Sequence, residues 1–314
     1  MGERRPREED PSSRAATTGL GAEPGPRANG STGWTLGMAI GTTVLLWSSS
    51  FVAIRAGLRG YPPVVLAALR CLVAAALFGL YSLRVRLRMP ARQDWPRLIA
   101  SGVLGFALYP VLINLAERRV PAGVASFVVN TGPLFTAILA TAFLGEQLPR
   151  RAWVGLSISL GGAAILGLNT HSRLAFEPGI LLLLVAAIAQ AVQFTLQKPL
   201  LARYDAISVT SWSVWFGSAA LLPWLPAGVT AVAAAPLAAT TAALYLGVLP
   251  TVVGYGTWAF VTARMPLARA MLWLYLVPLS ATMIGWAVLG EVPTAWGALG
   301  GLIVVGGVAL GKRR

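Results

Sequence analysis

Charged residues are scarce in this amino-acid sequence. Only 11% of its 314 residues are Asp, Glu, Lys or Arg, whereas 56% are hydrophobic, and the mean hydropathy is +0.69. Soluble domains carry about 25% charged residues, and apolar runs longer than about 18 residues are typical of membrane-spanning helices. The sequence therefore predicts a polytopic membrane protein with short loops, which excludes an ATPase motor, an extracellular receptor domain and a DNA-binding module.

Cysteine and histidine each occur once. Cys71 lies inside an apolar run and has no second cysteine with which to form a disulfide within the chain. His171 lies in a predicted loop, so neither a histidine-rich metal site nor a Ser/His nucleophile pair is expected. We therefore expect no catalytic residues, no metal site and no cofactor.

Acidic residues are also few. All 11 of them lie in the N-terminal tail, in predicted loops or at the ends of apolar runs. A carboxylate in the middle of a span is the usual relay for protons or sodium. The sequence therefore argues against strong ion coupling and against an enzyme built on paired carboxylates, and it leaves coupling to a proton gradient open.

Basic residues give the chain a formal net charge of +14. Most of them cluster in loops on one side of the predicted spans, and cytoplasmic loops of membrane proteins are enriched in Lys and Arg. Membrane orientation explains this charge better than a nucleic-acid partner does. We predict a multi-pass protein of the plasma (inner) membrane with both termini cytoplasmic, whose partners are the lipid bilayer and a small-molecule substrate.

Ten apolar stretches follow a polar tail. The tail, residues 1–32, is predicted to be disordered and lacks the apolar core of a signal peptide. Pro and Gly punctuate nearly every boundary between the stretches. The predicted spans are residues 33–55, 62–83, 97–116, 121–144, 151–169, 179–199, 206–226, 238–262, 266–289 and 294–311. The predicted fold class is thus an all-α membrane protein with ten transmembrane helices.

The two halves of the sequence resemble each other. Shifting the chain by 145 residues lays residues 98–146 on residues 243–291 without a gap. The matched stretches are Gly102-Val103-Leu104 with Gly247-Val248-Leu249, Arg119-Val120-Pro121 with Arg264-Met265-Pro266, Pro133-Leu134 with Pro278-Leu279, and Leu144-Gly145-Glu146 with Leu289-Gly290-Glu291. A shift of 143 residues places Phe51 and Arg55 on Phe194 and Lys198. Two homologous halves are therefore predicted.

Each half contains an odd number of spans, so the second half must be inserted upside down relative to the first. Inverted repeats have a mechanical use, because two halves of the same shape can exchange conformations and open a central site to each side in turn. We predict a first inverted five-helix repeat at residues 33–169, a linker at residues 170–178 and a second repeat at residues 179–314.

Uncharged polar and aromatic residues interrupt several of the apolar spans. Such groups are costly in lipid and are expected to face protein or a cavity. A partly aromatic cavity suits organic solutes with a few hydrogen-bonding groups. Hydrogen bonds between helices are the alternative that the sequence leaves open. The candidate substrate-binding residues are Trp47, Ser50, Asn114, Asn130, Gln190, Gln193, Tyr255, Trp258 and Tyr275.

Five further residues are given hinge or structural roles. Pro133 and Pro278 occupy matching positions inside spans, where a proline removes a backbone hydrogen bond and kinks the helix, so they are hinge candidates with a static kink as the alternative. Arg70 lies in the second span without a nearby acid, and we favour a structural role over binding of a substrate carboxylate. Glu146 and Glu291 are predicted to cap the helices that follow them.

Four stretches together carry a recognisable pattern, at residues 47–55, 62–70, 121–146 and 266–291. The pattern resembles the EamA family of the drug/metabolite transporter superfamily, and the resemblance covers about residues 33–311. It implies ten helices in two inverted five-helix halves, a central cavity, and export or exchange of small metabolites, amino acids or drugs.

The alternatives to a secondary transporter are a membrane-embedded enzyme and a non-transporting sensor. An enzyme needs an acid, a base or a nucleophile pair facing a cavity. Away from the first and last residues of the predicted spans, the charged or thiol groups are Arg70, Cys71 and, near an end, Arg269. We therefore predict a secondary transporter that exports small organic metabolites, amino acids or drugs by alternating access.

Overall fold

The computed structural model describes residue 2 and residues 30–120, 122–168, 178–289 and 295–312, and all regular structure in these residues is helical. Contacts divide the chain into two units, Met1–Thr35 and Leu36–Arg314. The first unit contributes Gly2 and the beginning of helix α1 to the described residues. The second contains the rest of α1 and the helical segments that follow it.

Ten helical segments succeed one another along the described residues. Those of the first half are α1 (Gly30–Leu58), α2 (Pro63–Ser82), α3 (Arg92–Glu117), α4 (Ala122–Val129 followed by Gly132–Phe143) and α5 (Arg150–Leu168). Those of the second half are α6 (Pro178–Leu201), α7 (Ala206–Ala234), α8 (Leu237–Arg264), α9 (Leu267–Leu274 followed by Leu276–Leu289) and α10 (Ala295–Lys312). Within the described residues, 7 helices are long and apolar enough to cross a membrane. The predicted all-α membrane architecture is confirmed.

Most connections between the segments are short, so consecutive segments run in alternating directions and the connections fall at two ends of the bundle. We call one the α3–α4 end; it carries residues 59–62 and 118–120. The other is the α8–α9 end; it carries residues 144–149, 202–205 and 265–266.

The seventh segment is longer than predicted. The sequence places its end at residue 226, but α7 continues to Ala234 after a 3₁₀ turn over Leu222–Trp224. Pro223 and Pro226 lie at the second positions of the two short pieces, where a missing backbone N–H costs no helical hydrogen bond. The prolines therefore bend the segment without ending it.

Both halves contain a π-helical stretch at matching positions. The stretch covers Val103–Leu108 in α3 and Gly247–Gly254 in α8. The 145-residue shift moves residues 103–108 onto residues 248–253, inside the second stretch. The repeat predicted from the sequence is therefore present in the backbone geometry, and π-helical turns often occur at functional sites.

The helices α4 and α9 are both broken, again at matching positions. Asn130 and Thr131 separate the two pieces of α4, and Tyr275 separates the two pieces of α9. The 145-residue shift places Asn130 on Tyr275. The sequence predicts kinked helices in these spans, whereas the structure shows two helical pieces in each.

A proline explains each break. A residue in an α-helix donates its N–H to the carbonyl four residues earlier, and proline has no N–H to donate. The carbonyls that Pro133 and Pro278 leave without this partner belong to Val129 and Leu274, the last residues of the first pieces. Each proline then lies near the beginning of the second piece, where proline is tolerated.

Small residues bring α5 and α10 into close contact. A Cβ atom added at Gly155 would lie 2.6 Å from the carbonyl oxygen of Gly307, and one added at Gly162 would lie 2.7 Å from that of Gly300. Ser159 also donates its hydroxyl to the carbonyl of Val304 at 3.3 Å. The last segments of the two halves thus pack through glycine, as is common between helices in membranes.

Candidate functional site

A cavity lies between helices of the two halves and has an empty volume of about 610 Å³, which includes space open to solvent. It extends from mid-depth toward the α3–α4 end, where Ile54 and Ile113 line it. Most of its wall is apolar or aromatic, with a few polar groups, as is typical of small-molecule sites. The lining residues are Trp47, Ser50, Phe51, Ile54, Arg70, Tyr109, Ile113, Val129, Asn130, Pro133, Gln190, Tyr255, Leu274 and Val277.

Five of the nine predicted substrate-binding residues line this cavity. They are Trp47, Ser50, Asn130, Gln190 and Tyr255, and they come from α1, α4, α6 and α8. The candidate hinge Pro133 and the arginine Arg70 line it as well. The lining also includes Val129 and Leu274, the residues at which α4 and α9 break.

The other four predicted residues are buried outside the lining. Asn114 donates Nδ2 to the carbonyl of Pro63 at 2.9 Å, while its Oδ1 has no partner among the described residues. Both amide atoms of Gln193, the indole nitrogen of Trp258 and the hydroxyl of Tyr275 likewise lack a hydrogen-bond partner in that part of the chain. A buried polar group without a partner costs about 1–3 kcal/mol, so this packing leaves several costly groups unsatisfied.

Trp47 and Tyr255 form an aromatic wall of the cavity at mid-depth, and Trp258 and Phe194 pack behind it. The ring centroid of Trp47 lies 5.0 Å from that of Tyr255, 5.7 Å from that of Trp258 and 6.1 Å from that of Phe194. The indole nitrogen of Trp47 donates to the carbonyl of Pro250 at 3.3 Å. These contacts join α1, α6 and α8 and give Trp47 a fixed orientation at the cavity.

Arg70 is buried, with 7% of its surface exposed. It donates Nε–H and one Nη2–H to the hydroxyl oxygen of Thr251, at 3.2 and 3.0 Å. Thr251 donates its own hydroxyl hydrogen to the carbonyl of Leu246 at 2.8 Å, so its oxygen meets Arg70 as an acceptor. The π-helical stretch of α8 thereby positions the guanidinium of α2.

Close packing of α2 on α8 makes this contact possible. A Cβ atom added at Gly247 would lie 2.8 Å from the carbonyl oxygen of Arg70 and 2.7 Å from Val73. Sequence reasoning missed Thr251, because a single threonine in an apolar span carries no pattern and its role depends on the π-helical geometry.

A second polar group of the cavity is formed by Gln190 with two tyrosines. Tyr109 and Tyr255 line the cavity together with Gln190 and Arg70. Tyr109 was also missed by the sequence analysis. Its match in the second half is Gly254, which has no side chain, so the repeat gave no hint of a polar role.

Glu146 caps a helix of the other half. Its two carboxylate oxygens accept hydrogen bonds from the backbone N–H groups of Leu267 and Ala268, at 2.7 and 2.8 Å. The prediction that Glu146 caps the helix that follows it, α5, is therefore corrected. Gly145 has a φ of +65°, a left-handed conformation that turns the chain so that Glu146 points to the first turn of α9. Glu291 lies outside the described residues.

Lys198 binds the end of α8 and the residue that follows it. Its ammonium group donates to the carbonyls of Thr262 and Met265, at 2.5 and 2.7 Å. Glu146 and Lys198 thus hold both sides of the α8–α9 connection, and we call them the α8–α9 clamp. At the same end Arg203 forms an ion pair with the buried Asp94 at 3.0 Å. Charged contacts close the bundle at this end: those of Glu146 and Arg203 join the two halves, and that of Lys198 joins α6 to α8 within the second half.

Comparison with known proteins shows close relatives. The chain matches the EamA-like transporter family at residues 34–168 and again at residues 177–311. A protein of Streptantibioticus cattleyicolor named "Probable terminal-alkyne amino-acid exporter" is 38% identical over 277 residues, which are 88% of this chain and 93% of that protein. A protein of Salmonella typhimurium named "Probable amino-acid metabolite efflux pump" is 26% identical over 278 residues, 84% of this chain and 90% of that protein.

A crystal structure with 21% sequence identity superposes with a TM-score of 0.71 and covers 89% of this chain and 96% of its own. That likeness shows a shared fold. The two family matches together span nearly the whole bundle, and they coincide with the two halves seen in the sequence and in the backbone. This chain is therefore a secondary transporter that belongs to the EamA-like transporter family.

Proposed function

We propose that this protein exports small amino-acid-like metabolites across the plasma (inner) membrane by alternating access. The observation that carries the proposal is the cavity, in which an aromatic wall adjoins hydrogen-bonding groups and one guanidinium. A solute with an apolar portion and a few polar groups fits such a lining. The names of the two relatives, an amino-acid exporter and an amino-acid metabolite efflux pump, support the same solute class.

We assign substrate contact in this conformation to the lining residues Trp47, Ser50, Asn130, Gln190 and Tyr255. The predicted residues that do not line the cavity are Asn114, Gln193, Trp258 and Tyr275. We assign Gln193, Trp258 and Tyr275 to a second conformation, open at the α8–α9 end, because their unpartnered polar atoms would then meet water or solute. Asn114 lies near the α3–α4 end, where it binds the carbonyl of Pro63, and we assign it to helix packing.

The helix breaks beside Pro133 and Pro278 supply the hinges in this proposal. Discontinuous helices at a mid-depth site are common in transporters with inverted repeats. Val129 and Pro133 on α4 and Leu274 and Val277 on α9 line the cavity. Motion about either break therefore changes the shape of the site.

We infer that both termini are cytoplasmic, so that the open α3–α4 end faces outward. The distribution of Lys and Arg supports this orientation. We also propose that the two repeats span residues 33–169 and 179–314, joined by a linker at residues 170–178 and preceded by a cytoplasmic tail at residues 1–32. Nucleic acid has no role in the proposal, because the basic residues are accounted for by the orientation.

A membrane enzyme and a non-transporting sensor are the competing functions. The described lining contains no acid, histidine or cysteine, so it offers no acid–base or nucleophile pair. The family match favours transport over both alternatives.

Efflux from proteoliposomes tests the proposal. Vesicles that contain the purified protein are loaded with a mixture of amino acids, including the terminal-alkyne amino acid L-propargylglycine, and with other metabolites. We expect protein-dependent release of a subset of the amino acids, and comparison with and without a pH gradient shows whether protons are coupled. A correctly folded protein that releases no solute under either condition would contradict the proposal and support a sensor.

A further inference from the structure

The guanidinium of Arg70 lies in the cavity wall without a counter-ion. None of the described residues that line the cavity is acidic, and the ion pair seen in the described chain, Arg203 with Asp94, lies at the α8–α9 end. A buried charge in a membrane protein requires a partner of opposite charge or a set of hydrogen-bond acceptors. Thr251 supplies one neutral oxygen, which leaves the charge without compensation.

The hydrogen bonds of Arg70 show which of its atoms are available. A guanidinium has five N–H donors. Two of them, on Nε and Nη2, are directed to Thr251, which leaves three without a protein partner in the described structure. Thr251 therefore fixes one edge of the planar group, and the remaining donors are left for a ligand.

A carboxylate is the ligand that matches this arrangement. Its two oxygens accept two parallel hydrogen bonds from a guanidinium and neutralise the charge at the same time. Trp47 and Phe51 provide apolar surface in the same cavity for the rest of the solute. We propose that Arg70 binds the carboxylate of the exported solute, an inference that rests on the proposed export function. It replaces the purely structural role that the sequence favoured.

Paired probes that differ only in the carboxylate test this assignment. L-Propargylglycine, L-leucine and L-phenylalanine are each compared with their carboxamides, by efflux from proteoliposomes and by thermal stabilisation of the protein in detergent. For wild-type protein we expect at least one acid to be exported, and to stabilise the fold, at a concentration at least tenfold lower than its amide requires. Arg70→Gln should abolish the difference, and Arg84→Gln, at an exposed arginine, should retain it.

The outcomes separate this inference from the export function. If wild-type protein releases none of the six probes, export of such solutes fails, and stabilisation by acid but not amide still decides the role of Arg70. Equal behaviour of acid and amide in both assays with wild-type protein overturns the assignment, even if Arg70→Gln does not fold. So does an Arg70→Gln protein that folds and keeps the wild-type preference.

A second inference starts from Glu117 at the α3–α4 end. Its side chain is 8% exposed, and neither carboxylate oxygen has a hydrogen-bond partner among the described residues. The exposed Arg55 near the end of α1 lies at the same end of the bundle, but no ion pair joins the two within the described chain. A buried carboxylate is thus present at the same end as a cation that it does not contact.

The repeat identifies what these two residues correspond to. The 143-residue shift places Arg55 on Lys198, and the 145-residue shift places Glu117 on Thr262 and Val120 on Met265. Lys198 binds the carbonyls of Thr262 and Met265 at the closed α8–α9 end. Arg55 and Glu117 are therefore the counterparts, at the open end, of a contact that closes the other end.

Inverted repeats exchange conformations when the site changes sides. The geometry points to Arg55 approaching Glu117 when the α3–α4 end closes, as Lys198 approaches Thr262 here, but binding the Glu117 carboxylate where Lys198 binds backbone carbonyls. The pair would neutralise the carboxylate and seal the cavity on that side.

Charge exchange and cross-linking test the pair. Arg55→Glu and Glu117→Arg should each slow efflux at least tenfold, and the double variant should recover to within threefold of wild type, whereas Arg59→Glu should not slow it. Arg55→Cys with Glu117→Cys, in a Cys71→Ser protein, should form a disulfide under oxidation that blocks efflux until it is reduced. If efflux by the double charge variant is no faster than that by the single charge variants, the inference is overturned. If the charge variants do not fold, a folded double-cysteine protein that forms no cross-link overturns it.

Discussion

Arg70 in the first half and Thr251 in the second half are joined by two hydrogen bonds to one hydroxyl oxygen, at 3.2 and 3.0 Å. The hydroxyl can accept both because its hydrogen is used by the carbonyl of Leu246. The contact therefore depends on the π-helical stretch of α8, in which Thr251 reaches a carbonyl five residues earlier. The π-helical stretch thus contributes to the packing of the two repeats and also positions the Arg70 guanidinium, the only cation among the described cavity-lining residues.

Removing the Thr251 oxygen is expected to weaken both fold and function. Thr251→Val preserves the side-chain volume but leaves two guanidinium donors without their acceptor, so we expect a loss of about 1–3 kcal/mol in the free energy of unfolding. Thr251→Ser should remain close to wild type. Thermal unfolding in detergent measures the effect, with Thr241→Val on the exposed side of the same helix as control. A Thr251→Val protein as stable as Thr251→Ser would show that the contact contributes nothing.

The fold was largely predictable because it follows from apolar run length and from the internal repeat. Membrane spans need long apolar stretches, and loops between them need Pro, Gly or charge, so both are visible in one sequence. The repeat also placed Pro133 and Pro278 at matching positions, although the resulting breaks at Asn130 and Tyr275 depend on how the chain packs. The end of α7 was wrong by eight residues because its prolines lie where helices tolerate them.

The site was less predictable, because the set of residues that line the cavity depends on which end of the bundle is open. Gln190 and Gln193 lie one turn apart on α6, yet Gln190 lines the cavity and Gln193 is packed against Gly105. Hydropathy and spacing treat the two glutamines alike. Glu146 could not be assigned to α9 either, because the sequence does not show which helix N-terminus lies beside it.

The aromatic wall predicts a selective loss of transport at Trp47. Trp47→Ala removes ring contacts with Tyr255, Trp258 and Phe194 at the cavity, so solute binding should weaken, and we expect efflux to fall at least tenfold. Trp224→Ala, which removes an exposed tryptophan of α7, should not change efflux. Initial efflux rates at matched protein density provide the comparison. Equal rates for the two folded variants would place the substrate elsewhere.

The left-handed conformation of Gly145 predicts a further effect at the α8–α9 clamp. Gly145→Ala places a Cβ atom on a backbone with a φ of +65°, so it should lower stability by about 1 kcal/mol. It should also displace Glu146 from α9. Gly161→Ala is the matched control, because a Cβ atom there meets nothing within 4 Å and its helical backbone accepts alanine.

Glu146 itself is tested by thermal unfolding in detergent, together with a cysteine reporter. Glu146→Gln can supply only one oxygen to Leu267 and Ala268 and has no charge for the helix N-terminus, so we expect a loss of about 0.5–2 kcal/mol. Weakening the clamp should also open the α8–α9 end more often. In a Cys71→Ser protein, a cysteine introduced at Gln193 should then react faster with a water-soluble maleimide. Unchanged reactivity would show that Glu146 acts on stability alone.

A hinge at Pro133 and a static break there predict different effects of Pro133→Ala on efflux. Pro133→Ala restores an N–H that can donate to the carbonyl of Val129, so the two pieces of α4 can join into one helix. We expect the melting temperature to rise or stay constant and efflux to fall at least tenfold, because the joined helix resists the change of side. Pro223→Ala, at the bend of α7 outside the cavity lining, should leave efflux unchanged. If Pro133→Ala is as stable as wild type and transports at the same rate, the break in α4 is a fixed feature of the fold and not a hinge.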